Sequence, residues 1–171
     1  MKSIFVSAGH SNTDPGAAAN GLTEAAVVTE FRNMVSFYLH RAGVPHGTDG
    51  DGAENMPLKT AALMARHYDI AVELHCNAGP EDATGVETLS VQLDTALGMA
   101  LCKAISDAIG IRIRGAKPEA SGQHSRLAFV QAGGIIVELF FLTNKADIAA
   151  YNARKWVAAR AVADVLAAAA R

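Results

Sequence analysis

Apolar and polar residues follow one another along this chain in blocks that predict alternating strands and helices. Apolar runs of strand length occur at residues 2–8, 69–75, 85–91, 127–130 and 135–141, with a short strand end at 44–47. Elsewhere apolar residues recur every three or four positions, which is the spacing of an amphipathic helix. This spacing predicts helices over residues 23–41, 58–67, 93–109 and 145–170.

The order of these segments, β-α-β-α-β-β-α-β-β-α, predicts an α/β fold. It favours a single mixed, mostly parallel sheet with helices on both faces. The strand at 85–91 is expected at an edge of that sheet, and residues 111–125 are expected to form an irregular surface loop over a site. Because no internal repeat or linker is visible, we expect one domain over residues 1–171.

Composition narrows the function classes. Half of the 171 residues are apolar and 19% are charged, which argues against disorder. The net charge of -2 and the lack of a Lys/Arg cluster give no reason to expect nucleic acid. Cys76 and Cys102 lack a metal-binding spacing and are expected to be buried thiols in a reduced compartment.

No apolar segment reaches 18 residues without a charge, so no membrane span is expected. The N-terminal apolar run ends at Gly9 and is too short for the apolar core of a signal peptide. We therefore expect synthesis in the cytoplasm without a Sec signal.

Two histidines and a carboxylate lie where an α/β sheet places its ligands. His10 and His75 follow strand-like runs, and Glu24 lies in the first turn of a predicted helix. Ligand sites of open α/β sheets lie beyond the carboxyl ends of strands. A catalytic zinc takes three protein ligands, for which histidine and glutamate are suitable. Taken singly, each residue also has an ordinary structural role, as a hydrogen-bonded surface histidine or as an acid at a helix N-terminus.

Glu138 interrupts an otherwise apolar run, Ile135–Phe141. Burying a carboxylate without a partner is costly, and a nearby metal would explain it. Burial would also raise its pKa towards the range of a general base. Glu138 facing solvent, or paired with a core arginine, is the structural alternative. Glu73 is a rival base, since it lies two residues before His75 on the same face of the strand.

Four segments, in the same order, resemble the zinc-dependent N-acetylmuramoyl-L-alanine amidases of the amidase-3 type. They are SAGHSNTDPGA (Ser7–Ala17), GLTE (Gly21–Glu24), ELHCNA (Glu73–Ala78) and VELFFLTN (Val137–Asn144). The stretch RGAK at Arg114–Lys117 is similar to a further family segment. The resemblance extends from about residue 3 to residue 165.

The resemblance implies that His10, Glu24 and His75 bind Zn²⁺ and that Glu138 is the catalytic acid and base. It implies hydrolysis of the amide between N-acetylmuramic acid and L-alanine, with peptidoglycan or a muropeptide as substrate. His124 and Arg126 are candidates to stabilise the oxyanion. A monomer without a separate cell-wall-binding domain is expected, which acts on the cell wall, for example after release through a phage holin.

Two alternatives keep the same residues: a peptidoglycan-binding module that does not cleave, and a zinc peptidase or deacylase that cuts another amide. The chain also departs from the family pattern. Ser7 replaces an aspartate, Asp49 stands where an arginine is common, and Phe140 replaces a glycine and is expected to add bulk near the site.

Overall fold

A six-stranded sheet forms the centre of the molecule in the computed structural model, which describes residues 1–91, 94–121 and 126–171. Its strands are β1 (Ile4–Ala8), β4 (His46–Thr48), β5 (Ile70–Asn77), β6 (Val86–Ser90), β7 (Ile113–Pro118) and β8 (Ile135–Phe141). A hairpin of β2 (Ala18–Ala19) and β3 (Leu22–Thr23) precedes the first helix.

The strand order is β4-β1-β5-β8-β6-β7. Strands β4, β1, β5 and β8 pair in parallel, β6 pairs antiparallel with β8, and β7 pairs in parallel with β6. This confirms the predicted mixed, mostly parallel sheet. Since β1 and β5 are parallel neighbours, their carboxyl ends meet at the same edge of the sheet, as do the residues that follow them.

The helices are α1 (Glu24–Arg41), α2 (Leu58–Ala65), α3 (Thr95–Ile109), α4 (Ala128–Gln131) and α5 (Lys145–Ala169). Apolar side chains of α1, α3 and α5 pack with one face of the sheet. The shorter α2 and α4 pack with the other face, around Phe5, Ala71 and Ile136. Because α2 and α4 are short, they leave part of this second face open. Among the described residues no helix is both long and apolar enough to cross a membrane.

Three local predictions were wrong. Part of the expected 111–125 loop forms strand β7, which takes the sheet edge and places β6 inside the sheet.

Residues 127–130 were predicted as a strand, yet Ala128–Gln131 is helical. A short apolar run does not by itself distinguish strand from helix. Here Phe129 and Val130 are buried against the sheet face that contains Phe5. The predicted start of the third helix, Leu93, lies outside the described residues.

A buried ion pair ties the first helix to the loop after β4. Arg32 and Asp49 are both 0% exposed, and Arg32 Nη1 donates to Asp49 Oδ1 at 3.0 Å. Asp49 also accepts hydrogen bonds from the backbone N–H of Ala8 and from Ser7 Oγ. Position 32 lies four residues after Val28 and three before Val35, so the helical spacing places Arg32 on the buried face of α1.

Replacing Arg32 by methionine is expected to lower the free energy of unfolding by about 3–5 kcal/mol, because Asp49 is left as a buried charge without its cation. Urea denaturation of the zinc-free protein measures the loss. The double variant Arg32→Met/Asp49→Asn should recover part of it, since no unpaired charge then remains. A single-variant loss below about 1 kcal/mol would contradict a structural role for the pair.

Candidate active site and metal centre

The two histidines stand side by side at the carboxyl ends of β1 and β5. Their rings meet edge to face with centroids 5.1 Å apart. His10 has a φ of 68°, which is uncommon for a residue other than glycine. Gly9 and Gly16 allow the rings to pack closely, because a Cβ at Gly9 would overlap the His75 ring and one at Gly16 the His10 ring. The local backbone is therefore shaped around these two imidazoles.

Glu24 lies between the two rings, in the first turn of α1. Its Oε2 is 2.9 Å from His10 Nε2 and its Oε1 is 2.9 Å from His75 Nδ1. The carboxylate also accepts the backbone N–H groups of Ala17 and Cys76. The side chain is only 6% exposed. Helix start, loop and strand end thus fix this carboxylate from three sides.

The donor atoms of His10, Glu24 and His75 all lie within 4.8 Å of one another. His10 Nε2 is buried and, although close to Glu24, has no hydrogen-bond partner of acceptable geometry among the described residues. Such an atom suits a ligand whose metal lies between it and the carboxylate. Two imidazoles and one carboxylate are also a donor set that zinc favours. The structure therefore brings together the three residues predicted as metal ligands, and they fit a zinc ion.

Electrostatics couples the three groups. Burial alone would raise the pKa of Glu24, but the adjacent His10 and His75 rings hold it well below its ordinary value. Burial alone would lower the pKa of His10, and the Glu24 carboxylate outweighs this effect and raises it. The pKa of His75 lies well above its ordinary value for the same reason, with Glu73 adding to the effect of Glu24. The carboxylates around the two imidazoles thus favour positive charge at this position.

Glu138 lies on β8 as the register partner of His75. Its Oε2 is buried and has no hydrogen-bond partner among the described residues. Burial raises its pKa to about 7, with Glu24 and Glu87 adding to the increase and His75 opposing it. The residue is partly exposed towards the cavity that it lines, and among the described residues no arginine forms an ion pair with it.

The raised pKa of Glu138 predicts a pH-dependent penalty on folding. Between its ordinary value of 4.5 and about 7, the folded protein keeps a proton that the unfolded chain has released. Stability contributed by this group therefore falls as pH rises through that window. In the zinc-free protein, Glu138→Gln should increase the unfolding free energy at pH 8 by about 3 kcal/mol, and at pH 5 by less than about 1 kcal/mol.

Urea denaturation of both proteins at the two pH values measures this difference. Glu81→Gln is the matched control, because Glu81 is exposed and its substitution removes the same charge without changing a buried group. A gain that is equal at pH 5 and pH 8 would show that the effect does not come from the proton on Glu138.

Two further carboxylates border the site. Glu73 Oε1 is 3.1 Å from His75 Nε2, the ring nitrogen that does not face Glu24. Glu87 is the neighbour of Glu138 on β6. It is neutralised by Arg114 Nε and Lys117 Nζ, both at 2.6 Å. The family resemblance had identified the Arg114–Lys117 stretch, but Glu87 was not predicted as its partner. An acidic residue within an apolar strand was the signal that could have identified Glu87.

One cavity of about 510 Å³ joins these groups. Its lining includes the following charged and imidazole side chains: His10, Asp14, Glu24, Glu73, His75, Glu87 and Glu138. A depression of about 640 Å³ along α1 contains none of the three predicted metal ligands, nor Glu138. The cavity on the open face of the sheet is therefore the candidate active site.

Two side chains that were expected near the site, those of Phe140 and Arg126, lie elsewhere. Phe140 packs against Tyr151 of α5, with ring centroids 4.7 Å apart, so its bulk is taken up by the core. Arg126 is exposed and donates to Gln131. It is not among the residues that line the cavity. His124 lies outside the described residues.

Solved structures that resemble this fold include N-acetylmuramoyl-L-alanine amidases. A crystal structure from Neisseria meningitidis, assigned as an N-acetylmuramoyl-L-alanine amidase, is 42% identical with a TM-score of 0.89, covering 98% of this chain and 95% of that one. The catalytic domain of CwlV from Bacillus (Paenibacillus) polymyxa var. colistinus is 19% identical with a TM-score of 0.85, covering 99% and 98% of the two chains. At that identity the likeness shows the fold alone.

Among curated relatives, the N-acetylmuramoyl-L-alanine amidase LytC from Bacillus subtilis is 25% identical over 156 residues, which are 85% of this chain and 30% of LytC. The model of the N-acetylmuramoyl-L-alanine amidase family matches residues 4–168, nearly the whole chain. This match confirms the resemblance drawn from the four motifs, together with the amidase function at the level of the family. The chain therefore belongs to the N-acetylmuramoyl-L-alanine amidase family.

Proposed function

We propose that this chain hydrolyses the amide bond between N-acetylmuramic acid and L-alanine in peptidoglycan or muropeptides, with zinc as its cofactor. His10, Glu24 and His75 hold the ion, and Glu138 moves the proton. The observation that carries the proposal is the convergence of the three donor groups within 4.8 Å, in the cavity that Glu138 also lines. Family membership supplies the substrate class.

A zinc ion in this site supplies a Lewis acid that polarises an amide carbonyl and lowers the pKa of a water towards neutrality. Glu24 contributes the negative charge of the ligand set, and the two imidazoles contribute neutral nitrogen donors. The hydrogen bonds of Glu24 to the Ala17 and Cys76 N–H groups keep its oxygens in place. The chain therefore provides a fixed ligand set that needs little rearrangement on binding.

Glu138 accepts the proton of the attacking water and returns a proton to the leaving amine of L-alanine. A pKa of about 7 suits both steps, since the group can take up and release a proton near neutral pH. Its Oε2 has no protein partner among the described residues, so no protein group competes for the proton of this carboxyl.

The two alternatives share most of this geometry. A binding module without catalysis has no use for a buried carboxylate with a raised pKa beside the ligand set. A zinc peptidase or deacylase would use every one of these residues, and only the substrate bond separates it from the amidase.

Digestion of purified peptidoglycan, with and without a chelator, separates the three possibilities when the soluble products are read by mass spectrometry. Stem peptides with a free L-alanine amino terminus, lost on chelation and restored by zinc, are the expected result. Intact stems on the sacculus with protein bound would instead indicate a binding module. Cleavage within the stem would overturn the proposed bond and keep the mechanism.

The cell wall is the proposed site of action, with the protein active as a monomer. Release through a phage holin is part of this proposal. Co-expression with and without a holin tests it: lysis only with the holin is expected, and equal lysis without it would contradict this route. Sedimentation velocity measures the oligomeric state.

A further inference from the structure

Glu73 is a buried carboxylate for which the proposed reaction has no use. Its side chain is 1% exposed, and it lies two residues before His75 on the same face of β5. Its Oε1 is 3.1 Å from His75 Nε2, and its Oε2 is 3.3 Å from Ser7 Oγ. Burying a carboxylate is costly unless its partners compensate, and because the single Ser7 hydroxyl hydrogen is closer to Asp49, His75 Nε2 is the main partner of Glu73.

The contacts of His75 define which ring nitrogen faces the metal centre. Nδ1 is 2.9 Å from Glu24 Oε1, and Nε2 is 3.1 Å from Glu73 Oε1. A neutral imidazole has one N–H donor and one acceptor nitrogen, and an ionised carboxylate only accepts. Donation from Nε2 to Glu73 therefore leaves the lone pair on Nδ1, pointing to the position that a metal would share with Glu24.

We propose that Glu73 is a positioning residue that holds His75 in the tautomer and orientation needed for metal binding and so strengthens zinc affinity. This inference rests on the proposed zinc site. Carboxylates that accept the second N–H of a metal-binding histidine make the imidazole a better ligand. Together with Glu24, Glu73 also supplies a second negative charge to balance a divalent cation.

The neighbouring strand holds Glu73 in place. Ser7 is its register partner on β1, and the Ser7 hydroxyl lies between Glu73 and Asp49, at 3.3 and 2.9 Å from their carboxylate oxygens. Asp49 is in turn fixed by Arg32. A line of buried polar groups thus connects α1 to the outer nitrogen of His75, which restricts the movement of the Glu73 carboxylate.

His10 offers a natural comparison. Its Nδ1 is 3.2 Å from Asp14 Oδ2, but the Asp14 side chain is 62% exposed. Solvent screens an exposed carboxylate and leaves it mobile, so its effect on the bound histidine is smaller. Glu73 and Asp14 are therefore a matched pair that differs mainly in burial.

The test measures zinc dissociation constants of the purified full chain by competition with a chromophoric chelator. Glu73→Met removes the acceptor at similar volume and is expected to weaken zinc binding by about 10–100-fold. Glu73→Gln keeps an acceptor oxygen and should lose less, and Asp14→Asn should lose the least. Long-range ¹H–¹⁵N spectra of the zinc-bound protein should show a hydrogen-bonded Nε2–H on His75, with that hydrogen-bond signature lost in Glu73→Met.

Leu74→Ala controls for a general loss of stability, because Leu74 lies on the opposite face of β5 in the core. It should lower the melting temperature of the zinc-free protein and leave zinc affinity within about twofold, because side chains alternate along a strand and that of Leu74 points away from Glu73 and His75. Native-like zinc affinity in Glu73→Met would overturn the inference while the proposed function stands. Complete loss of zinc, as for a ligand, would also overturn it. If the unaltered chain binds no zinc, the proposed function itself fails.

Discussion

Glu138→Gln is expected to reduce peptidoglycan hydrolysis by about 10²–10⁴-fold, the contribution typical of a positioned acid and base. Glutamine has the shape of glutamate but cannot accept the proton of the attacking water. Glu138 is not part of the group of donor atoms that lie within 4.8 Å of one another. Zinc affinity should therefore remain close to that of the unaltered chain.

Release of stem peptides measures the first effect, and chelator competition measures the second. Glu87→Gln is the matched control: it makes the same change on the adjacent strand, at the register partner of Glu138. Glu87 is already neutralised by Arg114 and Lys117, so we expect most of the hydrolysis to persist. Activity retained in Glu138→Gln would refute the assignment of Glu138, and loss of zinc would place this residue among the ligands.

The second large effect is expected from Glu24→Gln, which removes the charged member of the ligand set. Zinc binding should weaken by more than the roughly 100-fold that is typical when a residue hydrogen-bonded to a metal ligand is replaced. Hydrolysis should disappear with the zinc. The pKa values of His10 and His75 should also fall in the zinc-free protein, because the Glu24 carboxylate raises both.

Chelator competition and NMR titration of the two imidazoles measure these outcomes. Glu30→Gln on the same helix is the control, since Glu30 is half exposed and pairs with Lys155 away from the cavity. It should leave both zinc affinity and imidazole pKa values unchanged. Unaltered zinc affinity in Glu24→Gln would contradict the proposed ligand set, whereas an unchanged pKa would contradict the coupling between Glu24 and the histidines.

The sequence by itself determined the fold class and the residues worth testing. Apolar runs separated by helical periodicity were sufficient for the mixed sheet, because burial of a continuous core imposes those two periods. His10 and His75 were identifiable since each lies at or just after the end of a strand, and Glu138 since a carboxylate inside an apolar run is costly. Their long spacing, however, carries no information on distance, so the 4.8 Å convergence required the folded chain.

Tertiary structure decided the features that depend on a partner distant in sequence. Strand β7 contains glycine and ends in proline, so its local signal is weak. It forms because it pairs with β6 at the sheet edge, where proline is tolerated, and because Arg114 and Lys117 bind Glu87. Helix α4 likewise forms where Phe129 can cover the sheet. The pairing of buried Arg32 with Asp49 and the contact of Glu73 with His75 also required the tertiary structure. A buried charge is tolerated only beside a compensating partner, and both partners are supplied by the fold.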